Sequence, residues 1–294
     1  MTLTKSSPKA KKQHVQHVKM KPSAIVTKVI EYVVLILGAA MTLLPFLYMI
    51  LSSLKTYQEL NAIPPVFFPS IPQWSNYVEV WNSAPFARYL LNTIIVACCT
   101  TIGVLITSTL SAFAFSRLNF PGKNLVFSIF MATLMVPSEM LIITNYQTVS
   151  NLGWIDSYAA MIVPYISSVF YIYLLSQFFE QVPDELYLAA KVDKCSDFKF
   201  MMKIMVPMNK SCLASIAILN FISSWNAFLW PLLVTNDQNM RVLSIGLVRF
   251  QTESGADYQL TMAASCMLVM PVVILFLVLR KYVLEGVAFS GVKG

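Results

Sequence analysis

Residues 181–207 read QVPDELYLAAKVDKCSDFKFMMKIMVP, a polar, charge-bearing island in a chain that is 57% hydrophobic and only 12% charged. Asp184 follows Pro183 and is placed as the N-cap of a helix. Leu186, Ala189 and Ala190 then share a face at i, i+3, i+4 spacing. A second helix is expected from Ser196, with Phe198, Met201, Met202 and Met205 on one stripe and Pro207 as its end. The island reads as a short amphipathic helix–turn–helix with small residues in its first half, a shape suited to docking in another protein's groove.

Around it the chain is a membrane sequence. Soluble domains carry about 25% charged residues, and the mean hydropathy here is +0.65. A spanning helix needs roughly 20 apolar residues. Six stretches supply them: 32–54, 89–116, 124–155 (interrupted only by Glu139), 157–179, 211–236 and 258–279. The predicted fold class is an all-α polytopic membrane protein of six transmembrane helices, with the island as a helical element between spans 4 and 5. An even number of spans puts both termini on one side. That side holds the seven lysines of residues 1–28, Arg117 and Lys123, the island's lysines and the C-terminal cations, leaving Lys55, Arg88, Arg241 and Arg249 opposite. Cytoplasmic loops carry such an excess, so both termini and the island are placed in the cytoplasm of a multi-pass protein of a prokaryotic cell membrane. The net charge of +7 then reports topology, not a nucleic-acid partner.

On this reading the chain divides into a basic cytoplasmic tail, 1–28, and a transmembrane domain, 29–294, which contains the island and a cytoplasmic C-terminal tail at 281–294. The basic tail suits anionic lipid head groups, and its late, long first apolar run does not read as a cleaved signal. Residues 55–88 carry Pro64, Pro65, Pro69, Pro72 and Pro85, which disfavour regular helix and predict extended connections. Trp74, Tyr77 and Trp81 there anchor either a partner or the membrane interface. Span 2 is rich in small and hydroxyl residues, read as helix packing.

Glu139, an ionisable group at membrane depth, is a candidate for the solute pathway, and 140–153 reads as a segment along the external face. Span 5 has the most polar interior: Asn220, Ser223, Ser224 and Ala227 share a face, with Trp225 and Asn226 beside it. Amides and hydroxyls match a sugar's hydroxyl groups, an indole stacks on its ring, and the lack of charge in this span favours a neutral sugar. Five cysteines make no disulfide framework. No Cys/His metal spacing, acid–base set or nucleophile is present, and GVAFSGVK at 286–293 lacks the Gly-Lys-Ser/Thr of a phosphate loop. No catalytic, cofactor or metal site is expected on this chain.

The island resembles the cytoplasmic coupling loop of ABC importer permeases, and of the second permease subunit of the maltose-type carbohydrate uptake family in particular. That pattern runs P-x-E-L-x-E-A-A-x-x-D-G-A and later L-P. Pro183, Glu185, Leu186, Ala189, Ala190, Asp193 and Pro207 match it. Support runs through nearly the whole chain: Ser53-Leu54-Lys55-Thr56, Asn92-Thr93, Phe120-Pro121-Gly122, Met135-Val136-Pro137, Ser224-Trp225-Asn226, Leu229-Trp230-Pro231 and the ending Gly291-Val292-Lys293-Gly294. Two positions depart, with Leu188 where the family has glutamate and Lys194 where it has glycine. Lysine in a left-handed turn costs roughly 1–2 kcal/mol, so either the turn differs or a partner compensates.

The resemblance implies coupling to an ATPase through this loop, here Glu185, Leu186, Leu188, Ala189, Ala190, Lys191, Asp193, Lys194 and Pro207; because Leu188 and Lys194 depart from the pattern, docking is expected to rest more on the apolar face and on Lys191, Lys194, Lys199 and Lys203. It implies a second related permease, two ATPase subunits carrying ATP and Mg, an extracytoplasmic solute-binding protein, and import by alternating access. A stand-alone secondary transporter or channel is the competing reading. It would need its own coupling groups, for which the spans offer only Glu139.

Overall fold

The computed structural model describes residues 22–252 and 255–291, with side chains placed for 27–248, 250 and 257–278. Most of the expected basic tail and the last three residues lie outside the described part. Two compact units are distinguished, the first ending at Tyr48 and the second running Met49–Gly294. The first is the greater part of α1 (Pro22–Ser53). Leu35, Ile36 and Met41 along it are exposed, a surface that lipid or another membrane helix accepts and water does not.

The second unit begins with the end of α1. The proline-rich segment holds two helices, α2 (Tyr57–Leu60) and α3 (Ser75–Ser83), in its proline-free parts; Pro64, Pro65, Pro69 and Pro72 all fall between them. Thr56 and Glu59 form a capping box: the Thr56 hydroxyl accepts from the Glu59 N–H, and the Glu59 carboxylate accepts from the Thr56 N–H at 3.0 Å. The backbone N–H groups of Thr56 and Ser70 hold the Glu59 carboxyl down at about 2. Asn76 Nδ2 donates to the Ser53 and Lys55 carbonyls at 2.8 and 3.0 Å, and the buried Lys55 ammonium donates to the Val66 carbonyl at 2.6 Å.

Helix α4 (Phe86–Arg117) is the axis of this unit. It is followed by α5 (Lys123–Thr133), α6 (Ile142–Asn151), α7 (Tyr158–Ile162), α8 (Val169–Glu180), α9 (Asp184–Val192), α10 (Asp197–Phe200), α11 (Val206–Met208), α12 (Lys210–Trp225), α13 (Leu229–Val234), α14 (Leu243–Gly246) and α15 (Tyr258–Gly291). The strand pair among the described residues, Gln251–Thr252 antiparallel to Gly255–Ala256, is the sole departure from an all-helical chain. Three helical segments, Thr27–Ser53, Phe86–Arg117 and Tyr258–Val278, are each long and apolar enough to cross a bilayer. Three bent pairs pass the same test jointly: Lys123–Thr133 with Ser138–Asn151 at 90°, Tyr158–Tyr165 with Val169–Glu180 at 44°, and Asp197–Met208 with Lys210–Trp225 at 81°.

The stretches at 157–179 and 211–236, read as single spans, are therefore broken, the first between Tyr165 and Val169 and the second between α12 and α13, while within 124–155 the chain turns by 90° ahead of the segment expected along the external face. Helix α5 covers about 16 Å at helical rise, half of a bilayer's roughly 30 Å core, and stops before the extended Pro137. The segment 142–151 that follows runs as α6, across the direction of α5. Helix α12 ends at Trp225 and a short α13 follows. Helix α15 continues to Gly291 through residues expected to form a tail.

Helix α4 packs on α8 and α12 with its small face, which includes Ala97, Val104, Ser108 and Ala112, all fully buried. Asn92 is a hub: its Nδ2 donates to the Asn239 and Arg241 carbonyls, both at 2.8 Å, and its Oδ1 accepts from the Tyr158 hydroxyl at 2.6 Å. Its neighbour Thr93 accepts from the Leu243 N–H at 2.8 Å. Together they pin the 237–243 loop to α4. Apolar clusters fill the two ends and the flank, one around Phe113, Leu175, Phe179 and Phe200 beside α9, another around Phe86, Tyr89 and Trp225.

Gly103 sits where α4 meets the bend between α7 and α8. A Cβ there would lie 2.8 Å from the Ile166 side chain, and the neighbouring Thr107 hydroxyl donates to the Ile166 carbonyl at 2.7 Å. Gly103→Ala should therefore lower the thermal unfolding midpoint in detergent, although alanine is the better helix former by about 1 kcal/mol. Adding Ile166→Ala should restore part of that loss. Simple additivity of the two changes would show that the close approach is not the cause.

Candidate functional site

The island folds as a helical hairpin. Helix α9 starts at Asp184, but Pro183 occupies the cap position, so Asp184 is not the N-cap. Its carboxylate instead receives the Arg117 guanidinium from the last turn of α4. The same guanidinium donates to the Val182 carbonyl and, at 2.7 Å, to the Phe179 carbonyl at the end of α8. One buried arginine thus fastens α4, α8 and the start of the hairpin at a single point.

The turn between the two hairpin helices is left-handed at Lys194, φ 54°. The Cys195 N–H donates to the Ala190 carbonyl at 2.8 Å and the Lys194 N–H to the Lys191 carbonyl at 3.0 Å. These are the paired bonds of a Schellman motif, with lysine at the position where glycine is usual. The turn does not differ, and the chain itself supplies the compensation. Lys191 Nζ lies 2.6 Å from the Asp197 carboxylate, Tyr187 donates its hydroxyl to the same carboxylate at 2.7 Å, and the Lys191 ammonium stands 5.2 Å over the Tyr187 ring. The Tyr187 ring packs against Phe200 at 5.0 Å and edge-on to Phe113 at 6.4 Å. Ser196 caps α10 by accepting from the Lys199 N–H. Tyr187 is the organising residue that periodicity did not single out; its signal was the i, i+4 pairing with Lys191.

The predicted faces divide. Ala190 is buried while Leu186 and Ala189 are exposed, and Met201 and Met205 are buried while Phe198 and Met202 are exposed. The inward face of the second helix is Phe200, Met201 and Met205. Leu188, Val192 (83% exposed), Phe198 and Met202 are left as an outward apolar surface. Glu185, Lys191, Asp193, Lys194 and Pro207 are exposed as well. Pro207 does not end the helix. A π-helical turn, Met201–Met205, precedes it and α11 runs through it to Met208. A widened turn accommodates the donor that proline lacks, and the sharp bend comes at Asn209, whose Nδ2 donates to the Met205 carbonyl at 2.9 Å.

Above this end, α4, α12 and the α7–α8 bend enclose a cavity of about 530 Å³. Glu139, Asn220, Ser223 and Ser224 all line it, joined by Thr100, Tyr165 and Trp230. Trp225 does not. It is buried against α15, its indole N–H donating to the Leu268 carbonyl at 3.1 Å, and it stacks on Phe221. Asn226, exposed, is the C-cap of α12 and is also not part of the lining. The cavity's aromatic rings are Tyr165, Phe170, Tyr171, Phe228 and Trp230; Tyr165 and Trp230 meet edge to face at 5.8 Å, and the Trp230 N–H donates to the Ala160 carbonyl at 3.0 Å. Among the described residues no cluster of His, Cys, Asp or Glu could hold a metal ion.

Residues 100–284 match the family described as binding-protein-dependent transport system inner membrane component. The chain is 32% identical over 267 residues to the sn-glycerol-3-phosphate transport system permease protein UgpE of Yersinia enterocolitica serotype O:8, covering 88% of this chain and 95% of that one. It is 33% identical over 270 residues to UgpE of Escherichia coli O1:K1, covering 89% and 96%. A chain from the crystal structure of a bacterial ABC transporter involved in the import of the acidic polysaccharide alginate superposes with a TM-score of 0.78 at 23% identity, over 90% of this chain and 98% of that one. A second alginate transporter chain, from a complex with a pentasaccharide-bound periplasmic protein, gives 0.62 at 16% identity, over 90% and 94%. At these identities the structures speak for the fold.

The hairpin's ion pair gives it a defined pH window. Lys191, then Tyr187, hold the Asp197 carboxyl below the usual carboxylate range, and Asp197 in turn raises Lys191. The Asp197 contribution is complete above about pH 4, the unfolded carboxylate value, and fades as pH falls through the lowered value. The Lys191 contribution is complete below about pH 10 and fades above. Hydrogen-exchange protection of residues 184–200, corrected for intrinsic rates, should be flat between these limits and fall on the acid side. Asp197→Asn should be less protected throughout and lose the acid transition; an unchanged acid transition in that variant would place its origin elsewhere.

Proposed function

The chain belongs to the family of binding-protein-dependent transport system inner membrane components, and from that premise we propose how its parts serve import. It is a permease subunit of an ABC importer, a transport subunit of the membrane, with ATP hydrolysis on separate subunits. A stand-alone secondary transporter or channel is set aside on the same ground. On our reading the chain crosses the membrane six times, the middle crossings lying in 124–155, 157–179 and 211–236, with the Asp197–Met208 half of the last bent pair left outside the membrane in the hairpin. Both termini and the hairpin are cytoplasmic, in keeping with the excess of cations on that side.

The observation that carries the reading is the hairpin itself. Its inward face is tied to α4 and α8 by Arg117, and Leu188, Val192, Phe198 and Met202 face outward, unpaired. An exposed apolar surface on a rigid base suits the groove of an ATPase subunit. We assign ATP and Mg to two such subunits, the other half of the pathway to a second related permease, and delivery of solute to an extracytoplasmic binding protein. The substrate class is carbohydrate or a related polyol. It is supported by the hydroxyl- and amide-lined cavity and by relatives named for sn-glycerol-3-phosphate and alginate transport. Closure of the ATPase pair then moves the hairpins, and the cavity alternates between the two sides of the membrane.

Deleting residues 181–207 should leave a membrane-inserted protein that no longer co-purifies its ATPase. The deletion also removes Asp184 and Val182 from Arg117, so Val192→Asp with Leu188→Asp is the milder test. That double variant should keep its unfolding midpoint and still lose the ATPase. Full co-purification with the double variant would refute docking on this face. Lys194→Gly should raise hairpin stability by about 1 kcal/mol by relieving the left-handed lysine.

A further inference from the structure

Helix hydroxyls in this protein are as a rule satisfied by their own backbone. In α4, Thr93 donates to the Tyr89 carbonyl at 2.8 Å and Thr107 to the Val104 and Ile166 carbonyls at 3.2 and 2.7 Å. Among the described residues three hydroxyls are buried with no partner: Ser52, Thr100 and Ser108. Of these only Thr100, 2% exposed, lines the large cavity. A buried hydroxyl without a partner is a standing cost, and here a solute hydroxyl at the cavity wall can supply what is missing.

The surrounding wall has a consistent character. Asn220, opposite on α12, commits its Nδ2 to the Thr101 hydroxyl at 3.2 Å, which leaves its Oδ1 as an acceptor. Ser223, Ser224 and Tyr165 add hydroxyls. Glu139 is the one charged side chain among the described residues of the lining, and it is exposed. The wall therefore offers acceptors and hydroxyls and no cation. A phosphate or carboxylate entering it meets a carboxylate with no guanidinium or ammonium to offset the repulsion, whereas a neutral polyol meets partners for its hydroxyl protons.

We propose that this cavity selects uncharged, hydroxyl-rich solutes and turns away anionic ones, with Thr100 as a solute-contacting hydroxyl and Glu139 as the excluding charge. This rests on the importer reading above and sharpens it, since relatives of the chain are named for a phosphate ester and an acidic polysaccharide.

The test uses the whole importer in proteoliposomes and matched solute pairs: a neutral sugar or polyol and its phosphorylated or uronic-acid counterpart. ATP-driven uptake should favour the neutral member. Binding of the same pairs to the permease–ATPase complex without binding protein should favour it by at least about tenfold, as repulsion at a few ångströms predicts. Thr100→Val, which keeps the shape and removes the hydroxyl, should raise KM for the neutral solute by about fivefold with kcat retained, and Thr100→Ser should restore it. A merely structural role for Thr100 would leave KM in place, because valine relieves an unpaired hydroxyl. Glu139→Lys should shift the binding preference towards the anionic member. Equal binding of both members, or an unchanged KM in Thr100→Val, overturns the proposal while the importer reading stands. Absence of ATP-driven uptake of every solute tested overturns the importer reading, and the proposal with it.

Discussion

The Arg117 guanidinium is the constraint on which the rest of the second unit depends. It sits at the last turn of α4, 9% exposed, and its donors reach the Asp184 carboxylate and the carbonyls of Phe179 and Val182. Burying an arginine is costly unless its fork is filled, and here only its Nε lacks a partner. A lysine could bring the charge but not the planar set of donors that holds a carboxylate and two backbone carbonyls at once. Because α8 ends and α9 begins within this fork, a displacement of the hairpin is delivered to α4 and α8 together.

A clamp transmits motion only if what it holds is stiff, and the hairpin is stiffened in spite of a strained residue. Lysine at a left-handed position costs roughly 1–2 kcal/mol. The Schellman bonds do not depend on the side chain, so they form as they would with glycine, and Tyr187, Lys191 and Asp197 then lock the second helix to the first. The phenol also enters the apolar cluster of Phe113 and Phe200. The lock is thereby anchored in the same core that α4 and α8 bury.

The sequence pattern told much of this but not all. Hydropathy located every apolar stretch, because desolvating roughly 20 residues is a large signal. It could not show that some stretches are bent: the break at 134–137 comes at a single proline, and that at 166–168 at two serines, each within an otherwise apolar run. The hairpin was legible as two helices about a turn, but the expected stripe is split, Met201 and Met205 turning inward and Phe198 and Met202 outward. Where lipid and partners also accept apolar side chains, amphipathicity does not say which residues of an apolar stripe turn inward. Trp225 failed for a related reason. It neighbours Ser224 in sequence, yet one residue turns a helix by about 100°, which carries its ring away from Asn220 and Ser223 and into α15. Trp230, beyond the helix break, reaches the cavity instead.

The clamp and the cavity belong to one mechanical circuit. Thr100 and Arg117 lie on the same unbroken helix, about 26 Å apart at helical rise, so the cavity wall on α4 is fixed to the start of the hairpin through Asp184. The facing wall is on α12, which follows the hairpin's far end across the Asn209 bend. The two walls are thus attached to opposite ends of one stiff element. The two helices also pack directly on each other, with the 3.2 Å hydrogen bond from Asn220 to Thr101 beside the cavity. On the proposed importer reading, a tilt of the hairpin is passed to α4 and α12 together. On that reading, docking at one end and solute contact at the other meet in the same pair of helices.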